Sequence, residues 1–419
     1  MTTFQKPRAS ERMLSVEEAQ ERVLAETALL GTETIELHDA LGRILREDVR
    51  APRDVPSADN SAMDGYAVVA GDLEGASDAS PVPLRVVEDV PAGRVAAMRV
   101  GPGTAIRIMT GALIPGGADA VVPVELTDGA SDVVRVSAPV KSGANVRARG
   151  EDMREGAVVL GAGTRLGAGE IGVLASVQKP RVEASRRPEI AILSTGDEVV
   201  PIDGAWEPGK VVNSNSWSLA ALARQAGALP RMMGIVPDDL AATKEAIRAA
   251  SSSDFILSSG GVSVGAYDFV KDALDELGAE TRFWQVAMKP GKPLVFARLG
   301  ETLYFGLPGT PVSCMVSFLL FIVPAIRKAM GESGILTPPS IRATLDAPLR
   351  SRGDRRQYFR ARAAAKEGRL VVTPMTGQGS GQSTGMIGAN AFAVVDPGTH
   401  ELAAGDEVEI VLFGQLEAS

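Results

Sequence analysis

Cysteine is almost missing from this chain of 419 residues: Cys314 is its single thiol, so no internal disulfide can form. The apolar neighbours in "VSCMVSF" predict a buried, inert side chain and a cytosolic setting. Only two histidines occur, His38 and His400, far apart and in unremarkable contexts. Their scarcity removes His-rich zinc sites, and one cysteine removes Cys-based metal sites. A Ser-His-Asp nucleophile would need one of these two histidines as its base. Basic excess is absent as well. With 43 Lys and Arg against 52 Asp and Glu, the net charge of -9 argues against a general nucleic-acid or membrane-surface binder, so any anion site has to be local. The N-terminus has no continuous apolar stretch, and neither a signal peptide nor an anchor is expected. The long apolar run "VSCMVSFLLFIVPAI" falls short of the about 20 residues of a membrane span and carries Pro324, which predicts a buried helix. What remains for chemistry is carboxylates, lysines, arginines, hydroxyls and backbone amides.

At roughly 100 to 200 residues per domain, the length predicts two to four domains. Ser15 followed by Glu18 forms a capping box ahead of a helix with Val16, Ala19 and Val23 on one face. From about 50 to 145 the text is strand-like and turn-rich ("YAVVAGD", "PLRVVEDV", "TAIRIMTGA", "DAVVPVE", "DVVRVSAPV"), predicting a small β module. Gly- and Ala-rich text with helical spacing follows, and "QKPRVEASRRPE" is expected to be a basic, proline-marked link. Between 187 and 332 strand-like and helical runs alternate. That pattern predicts a mostly parallel α/β sheet whose ligands bind beyond the carboxyl ends of its strands. After a Pro- and Gly-containing linker, five short strands over 333–419 predict a β-barrel or sandwich.

Four loops of the α/β region hold the candidate site. "STGDE" supplies Ser194, Thr195, Gly196, Asp197 and Glu198, although a turn with a helix cap would use the same residues. "SSGGVSVG" places Ser259, Gly260, Gly261, Ser263 and Gly265 between a strand and a helix, where small side chains let backbone amides approach a phosphate. It is neither a Walker loop nor a GxGxxG fingerprint. Asp268 follows, as a helix cap or a Mg²⁺ ligand. "KPGKP" fixes Lys289 and Lys292 in a stiff turn, which repays the lost side-chain entropy if a dense anion binds there; solvated lysines on a surface hairpin are the alternative. "LPGTPVSC" contributes Pro308 and Gly309 ahead of a helix with Pro311 in its first turn. Elsewhere "ADNSAMDGYAV" clusters Asp59, Asn60, Ser61 and Asp64. In "NVRARGEDM", Arg147 and Arg149 stand beside Glu151 and Asp152, as a solvated ion-pair loop or a site.

Taken in order, "DNSAMDGYA", "RIMTGA", "RGED", "STGDE", "SSGGVSVGAYDF", "KPGKP" and "LPGTPVS" make the chain resemble the molybdopterin molybdenumtransferase family (MoeA and the gephyrin E domain) over nearly its whole length. The resemblance implies an elongated four-part subunit. An N-terminal α+β part (1–50 and 146–186) would carry an inserted β-rich part (51–145), followed by a molybdopterin-binding α/β domain (187–332) and a C-terminal β-barrel (333–419). It implies a cytoplasmic homodimer with sites shared between subunits, and Mg²⁺-dependent insertion of molybdate into adenylylated molybdopterin with release of AMP. A molybdopterin adenylyltransferase would act upstream and molybdoenzymes downstream, with no nucleic acid and no membrane involved. By the same resemblance Lys289, Lys292, Arg355 and Ser380 bind molybdate, and Glu198, Asp238 and Asp268 are acidic site residues, with Glu198 and Asp268 holding Mg²⁺. Asp59, Thr104 and Asp152 would reach the partner's site. The chain departs from the family pattern at Thr310, where Asn is common, and at Arg356, where an apolar residue or proline is usual.

Three rivals share the α/β domain. An adenylyltransferase needs no flanking parts, whereas this chain has 186 residues before that domain and a barrel after it. A gephyrin-like scaffold or an inactive pterin-binding module would not require the lysines and acidic loops, all of which are present.

Overall fold

The computed structural model describes residues 13–262 and 269–418. It divides into two compact units, one of Met1–Glu47, Ala162–Gly167 and Arg181–Ser419, the other of Asp48–Gly161 and Ala168–Pro180.

The first unit is organised by a six-stranded sheet: β1 (Glu189–Thr195), β2 (Leu229–Val236), β3 (Phe255–Ser259), β4 (Glu280–Gln285), β5 (Pro293–Leu299) and β6 (Thr302–Leu307). Its spatial order is β2-β1-β3-β6-β5-β4; the pairs among β2, β1, β3 and β6 are parallel, and β5 and β4 add on antiparallel. Both faces are covered, which is why the strands are written as apolar runs without alternation. Ile190, Ile192 and Leu257 pack on the face that receives Asn215–Gln225 and the long apolar helix. Ala191, Leu193 and Ile256 pack on the face that receives Leu240–Ala250 and Phe269–Glu276. The chain leaves β1 to one side for β2 and returns on the other for β3, so a topological switch lies between β1 and β3, and the loops after both strands open there.

The apolar helix runs from Pro311 to Ala329. By length and composition it could cross a membrane, but 78% of its most apolar window is buried inside the protein, as a core helix. Its middle turn, Phe318–Ile322, is a π turn next to Pro324, whose missing N–H and bulky ring disfavour a regular α turn. Val16–Glu26 forms with the Ser15–Glu18 capping box complete, and Val16, Ala19 and Val23 are its buried residues. "QKPRVEASRRPE" is more than a link. Arg181–Ser185 is a strand antiparallel to Thr32–Glu36, because Val182 and Ala184 alternate inward between the two prolines.

The five C-terminal strands close on themselves. Arg356–Lys366 pairs with Arg369–Pro374, which pairs with Ser340–Leu345, then Glu407–Leu412, then Ala391–Val395, which returns to Arg356–Lys366. Closure leaves this barrel no free edge around its wall. One further pairing matters for the site: Met288–Lys289, from the lysine turn, lies parallel to Arg356–Gln357 of the barrel.

The second unit is built on a five-stranded sheet in the order Ala120–Pro123, Gly65–Val68, Thr104–Ile108, Val82–Val90 and Val133–Val136, the five strands expected from the sequence.

Leu257, at the centre of the main sheet, is fully buried, so Leu257→Ala should destabilise the first unit by about 2–5 kcal/mol, by lost transfer energy and the cavity left behind. Ile202→Ala, at a residue 63% exposed, should change stability by less than about 0.5 kcal/mol. Denaturant unfolding of both variants checks the pair.

Candidate functional site

A cavity of about 870 Å³ opens at the carboxyl ends of β1 and β3, of the size typical for small-molecule sites. Ser194, Thr195 and Glu198 line it after β1; Ser259, Gly260 and Gly261 line it after β3; Pro308 and Gly309 line it after β6. Lys289 and Lys292 enter from the lysine turn, and Arg355 and Ser380 from the barrel segments. Residues far apart in the chain therefore meet in one wall.

The glycine loop is shaped by contact. A Cβ on Gly260 would stand 2.7 Å from the Thr195 carbonyl oxygen, and φ is +95° there. A Cβ on Gly261, at φ +66°, would stand 2.8 Å from Thr195 Oγ1, so both glycines of the loop after β3 are required by their approach to Thr195. Beneath these loops is a polar layer. Ser194 Oγ donates to Asn213 Oδ1 at 2.9 Å, and Asn215 Nδ2 donates to Ser259 Oγ at 2.7 Å and to the Gly309 carbonyl at 2.8 Å. The Cys314 thiol donates to the Pro308 carbonyl at 2.7 Å; burial pushes its pKa up to about 12, which makes it inert as a nucleophile. Thr195 Oγ1 and Asn215 Oδ1 are buried without partners.

Asn213 and Asn215 are not among the candidates read from the sequence; they stand just before the helical stretch "SWSLAALARQAGA". The doubled Asn-Ser just ahead of the helical text was the available signal.

Among the described residues that line the cavity, Lys289, Lys292, Arg352 and Arg355 stand against one carboxylate, Glu198, while Arg355 also pairs with Asp354 at 3.3 Å. Both lysines are half-buried, and neither ammonium donates a hydrogen bond or forms an ion pair with any described residue. Their turn is rigid: a Cβ on Gly291, at φ +102°, would stand 2.9 Å from Met288 Cε and 3.0 Å from Ser317 Oγ. Arg355 is anchored beside them, Nη1 donating to the Met288 carbonyl at 3.3 Å. The Ser380 carbonyl accepts from the Val312 N–H at 3.1 Å, at the start of the apolar helix. Two or more fixed, unpaired cations around an open volume form a receptor for a small multivalent anion.

Comparisons with known proteins agree with this geometry. Residues 14–177 match the MoeA N-terminal region (domain I and II), 191–328 the family described as "Probable molybdopterin binding domain", and 342–413 the MoeA C-terminal region (domain IV). The chain is 39% identical over 385 residues to the molybdopterin molybdenumtransferase of a Nostoc species, covering 91% of this chain and 88% of that protein. It is 37% identical to that of Bacillus subtilis, covering 97% and 95%. A crystal structure of a Pyrococcus horikoshii molybdopterin biosynthesis MoeA protein superposes with a TM-score of 0.82 at 30% identity, over 96% of this chain and all of that one. The chain belongs to the molybdopterin molybdenumtransferase (MoeA) family. It is a transferase of molybdenum cofactor biosynthesis.

Several residues that the MoeA resemblance marked lie off the cavity lining. Asp238 stands beside the β1 loop: the Asp238 N–H donates to Asp197 Oδ1 at 3.1 Å, and Asp238 Oδ2 accepts from the Asp197 N–H at 3.4 Å. Gly196 lies under the Glu198 carboxylate, where a Cβ would approach Oε2 to 2.5 Å. Ser263, Gly265 and Asp268 lie outside the described residues. Among the described residues no group of three or more His, Cys, Asp or Glu side chains is arranged to hold a metal ion.

Asp59, Thr104 and Asp152 belong to the second unit. There three MoeA motifs converge. Asp59 Oδ1 accepts from the Arg149 N–H at 2.8 Å, Asp64 Oδ1 accepts from the Thr110 N–H and hydroxyl at 2.7 Å each, and Asn60 pairs with Arg147 across two short strands. Arg149 pairs with Asp54, not with the neighbouring Glu151 and Asp152, because the turn carries its side chain back across the chain. Thr104 Oγ1 is used within its own turn, donating to the Gly101 carbonyl at 2.8 Å and accepting from the Gly101 N–H at 2.9 Å. Asp152 is exposed, and its side chain makes no hydrogen bond with a described residue.

Burial raises the pKa of Asp238, and the neighbouring Asp197 and Glu198 charges raise it further, against the hydrogen bond from the Asp197 N–H. A folded-state pKa above the unfolded one means that the stability this group contributes is present below the unfolded value and lost as pH rises through the folded value. Asp238→Asn should therefore raise the melting temperature at pH 7, and the gain should shrink as pH falls toward the ordinary Asp value near 3.8. Thermal scans across that range check the slope.

Proposed function

We propose that this protein inserts molybdate into adenylylated molybdopterin and releases AMP. The observation that carries this reading is the pair of half-buried ammonium groups that neither hydrogen-bond nor ion-pair with a described residue, set in a proline- and glycine-bounded turn on a cavity that also carries Arg352 and Arg355. Molybdate is a tetrahedral dianion; Lys289, Lys292, Arg355 and the Ser380 hydroxyl are donors suited to its four oxygens, and charge-assisted bonds are roughly twice as strong as neutral ones. The glycine loop at Ser259–Gly261 would take the substrate's phosphates, since its backbone is bare enough for close approach. The polar layer of Asn213 and Asn215 fixes the loops and so keeps the anion corner and the phosphate loop at a constant separation.

Glu198 on the cavity wall and Asp268 are the residues that would hold Mg²⁺, which takes one or two carboxylates and completes its shell with water and phosphate oxygens. Bound there, the ion would withdraw charge from the phosphoanhydride that joins the adenylate. Glu198 lines the cavity that would hold an anionic substrate and Asp238 stands beside its loop, so the charge there would be offset by such a cation or by protonation; the raised Asp238 pKa, from burial first and then from Asp197 and Glu198, is consistent with that crowding. Attack of water on the anhydride would free AMP and leave the pterin phosphate; the two dithiolene thiols would replace one oxo ligand of the anion held by the lysines, their two protons leaving with that oxygen as water. The reading includes a cytoplasmic homodimer in which Asp59, Thr104 and Asp152 from a second copy complete the site, acting between a molybdopterin adenylyltransferase and molybdoenzymes. The lone and buried Cys314 is in keeping with a reducing compartment.

Lys292→Ala should raise the molybdate concentration for half-maximal AMP release by about 10- to 100-fold, the range expected on losing one hydrogen bond to a charged group. Binding of adenylylated molybdopterin should change little. Equal loss of both substrates would contradict the assignment of the lysine turn to the anion.

A further inference from the structure

Arg360 is the largest fully buried side chain of the protein, and it has no carboxylate partner among the described residues. Its guanidinium instead donates to two backbone carbonyls of one turn, through Nη2 to Gly377 and to Gly379, the latter at 3.2 Å. Nε is buried and unpartnered. The same turn is clasped from its other side by Gln378, whose Nε2 donates to the Arg360 carbonyl and to the Met375 carbonyl, both at 2.8 Å, while Gln378 Oε1 accepts from the Arg360 N–H at 3.1 Å. Gly385 closes the enclosure: a Cβ there would stand 2.6 Å from the Gly377 carbonyl oxygen and 3.0 Å from Arg360 Nε. Gln378, Gly379 and Ser380, which this arrangement holds, all line the cavity, as do Tyr358 and Phe359, the residues before Arg360 on its strand.

A buried cation with only neutral acceptors is expensive to maintain, and replacing it by an apolar side chain of similar volume often leaves a protein as stable or more so. Burial alone already pulls its pKa below the ordinary arginine value. Stability therefore gives little reason for an arginine at this position. Two properties of the guanidinium do: it keeps its charge when buried while Nη2 donates to two carbonyls of one turn, and that charge has no carboxylate partner among the described residues directly behind the wall that would face the anion.

We propose that Arg360 is a positioning residue for the anion: it holds the Gly377–Gly379 turn so that the Ser380 hydroxyl meets the oxyanion, and it sets a fixed positive charge behind that turn. This rests on the molybdate reading of the cavity. The anion and the buried cation then stabilise one another, so molybdate binding recovers part of what burying Arg360 sacrifices.

The test compares wild type, Arg360→Met and Arg360→Lys for molybdate-dependent AMP release, with half-saturation measured separately for molybdate and for adenylylated molybdopterin, alongside melting temperature. Arg360→Met removes fork and charge and should raise half-saturation for molybdate at least 10-fold, with that for the pterin within 2-fold of wild type. Arg360→Lys keeps the charge and should fall between the two, at least 3-fold above wild type, and it carries the test alone if the Met variant does not fold. A structural role would instead move both substrates together with the melting temperature. If wild type releases AMP in response to molybdate but the folded variants keep its half-saturation, or lose both substrates equally, the inference about Arg360 is wrong. If wild type shows no response to molybdate, the reading of the cavity itself fails.

Discussion

The site depends on two half-buried ammonium groups, Lys289 and Lys292, that line one cavity and make neither a hydrogen bond nor an ion pair with a described residue. The backbone around them is held from several directions. Met288 and Lys289 run as a short strand beside Arg356–Gln357, Gly291 at φ +102° sits where a side chain would collide with Met288 and Ser317, and the Val286 N–H donates to the Lys292 carbonyl at 3.0 Å. On the proposed reading, a dense anion is the partner these cations are set to receive.

From that constraint the architecture of the first unit follows. The α/β sheet supplies a topological switch at which the loops after β1 and β3 diverge, and small residues line them so that backbone can face a phosphate. The barrel supplies Arg352, Arg355 and Ser380, and the paired segments Met288–Lys289 and Arg356–Gln357 bring its guanidinium groups to the lysine turn. A stand-alone α/β domain would hold the phosphate loop and the lysines but only half of the cationic corner.

Much of this was legible in the sequence because the relevant signals are local. The runs "EIAILST" and "DFILSS" show their two-sided burial by lacking alternation, and the five barrel strands stand apart between Gly, Pro and Asp. The stiff lysine turn announces itself by Pro290, Gly291 and Pro293. What was not legible arises from long-range register. Arg352 and Gln357 reach the cavity through barrel closure, Asn213 and Asn215 through the turn that enters their helix, and the strand Arg181–Ser185 through a partner some 150 residues away. Arg360 was the hardest to read. Its strand is buried continuously from Gln357 to Ala361 because the 377–385 segment folds over it, and nothing in "YFRAR" signals that cover.

The most direct measurement is a crystal structure of the protein soaked in molybdate, with the anomalous signal of molybdenum used to locate the anion. The expected result is one tetrahedral anion in the cavity, within hydrogen-bond distance of Lys289 Nζ, Lys292 Nζ and the Arg355 guanidinium. A cavity without anomalous signal at saturating molybdate, or an anion bound elsewhere with both ammonium groups turned to bulk water, would contradict the central claim.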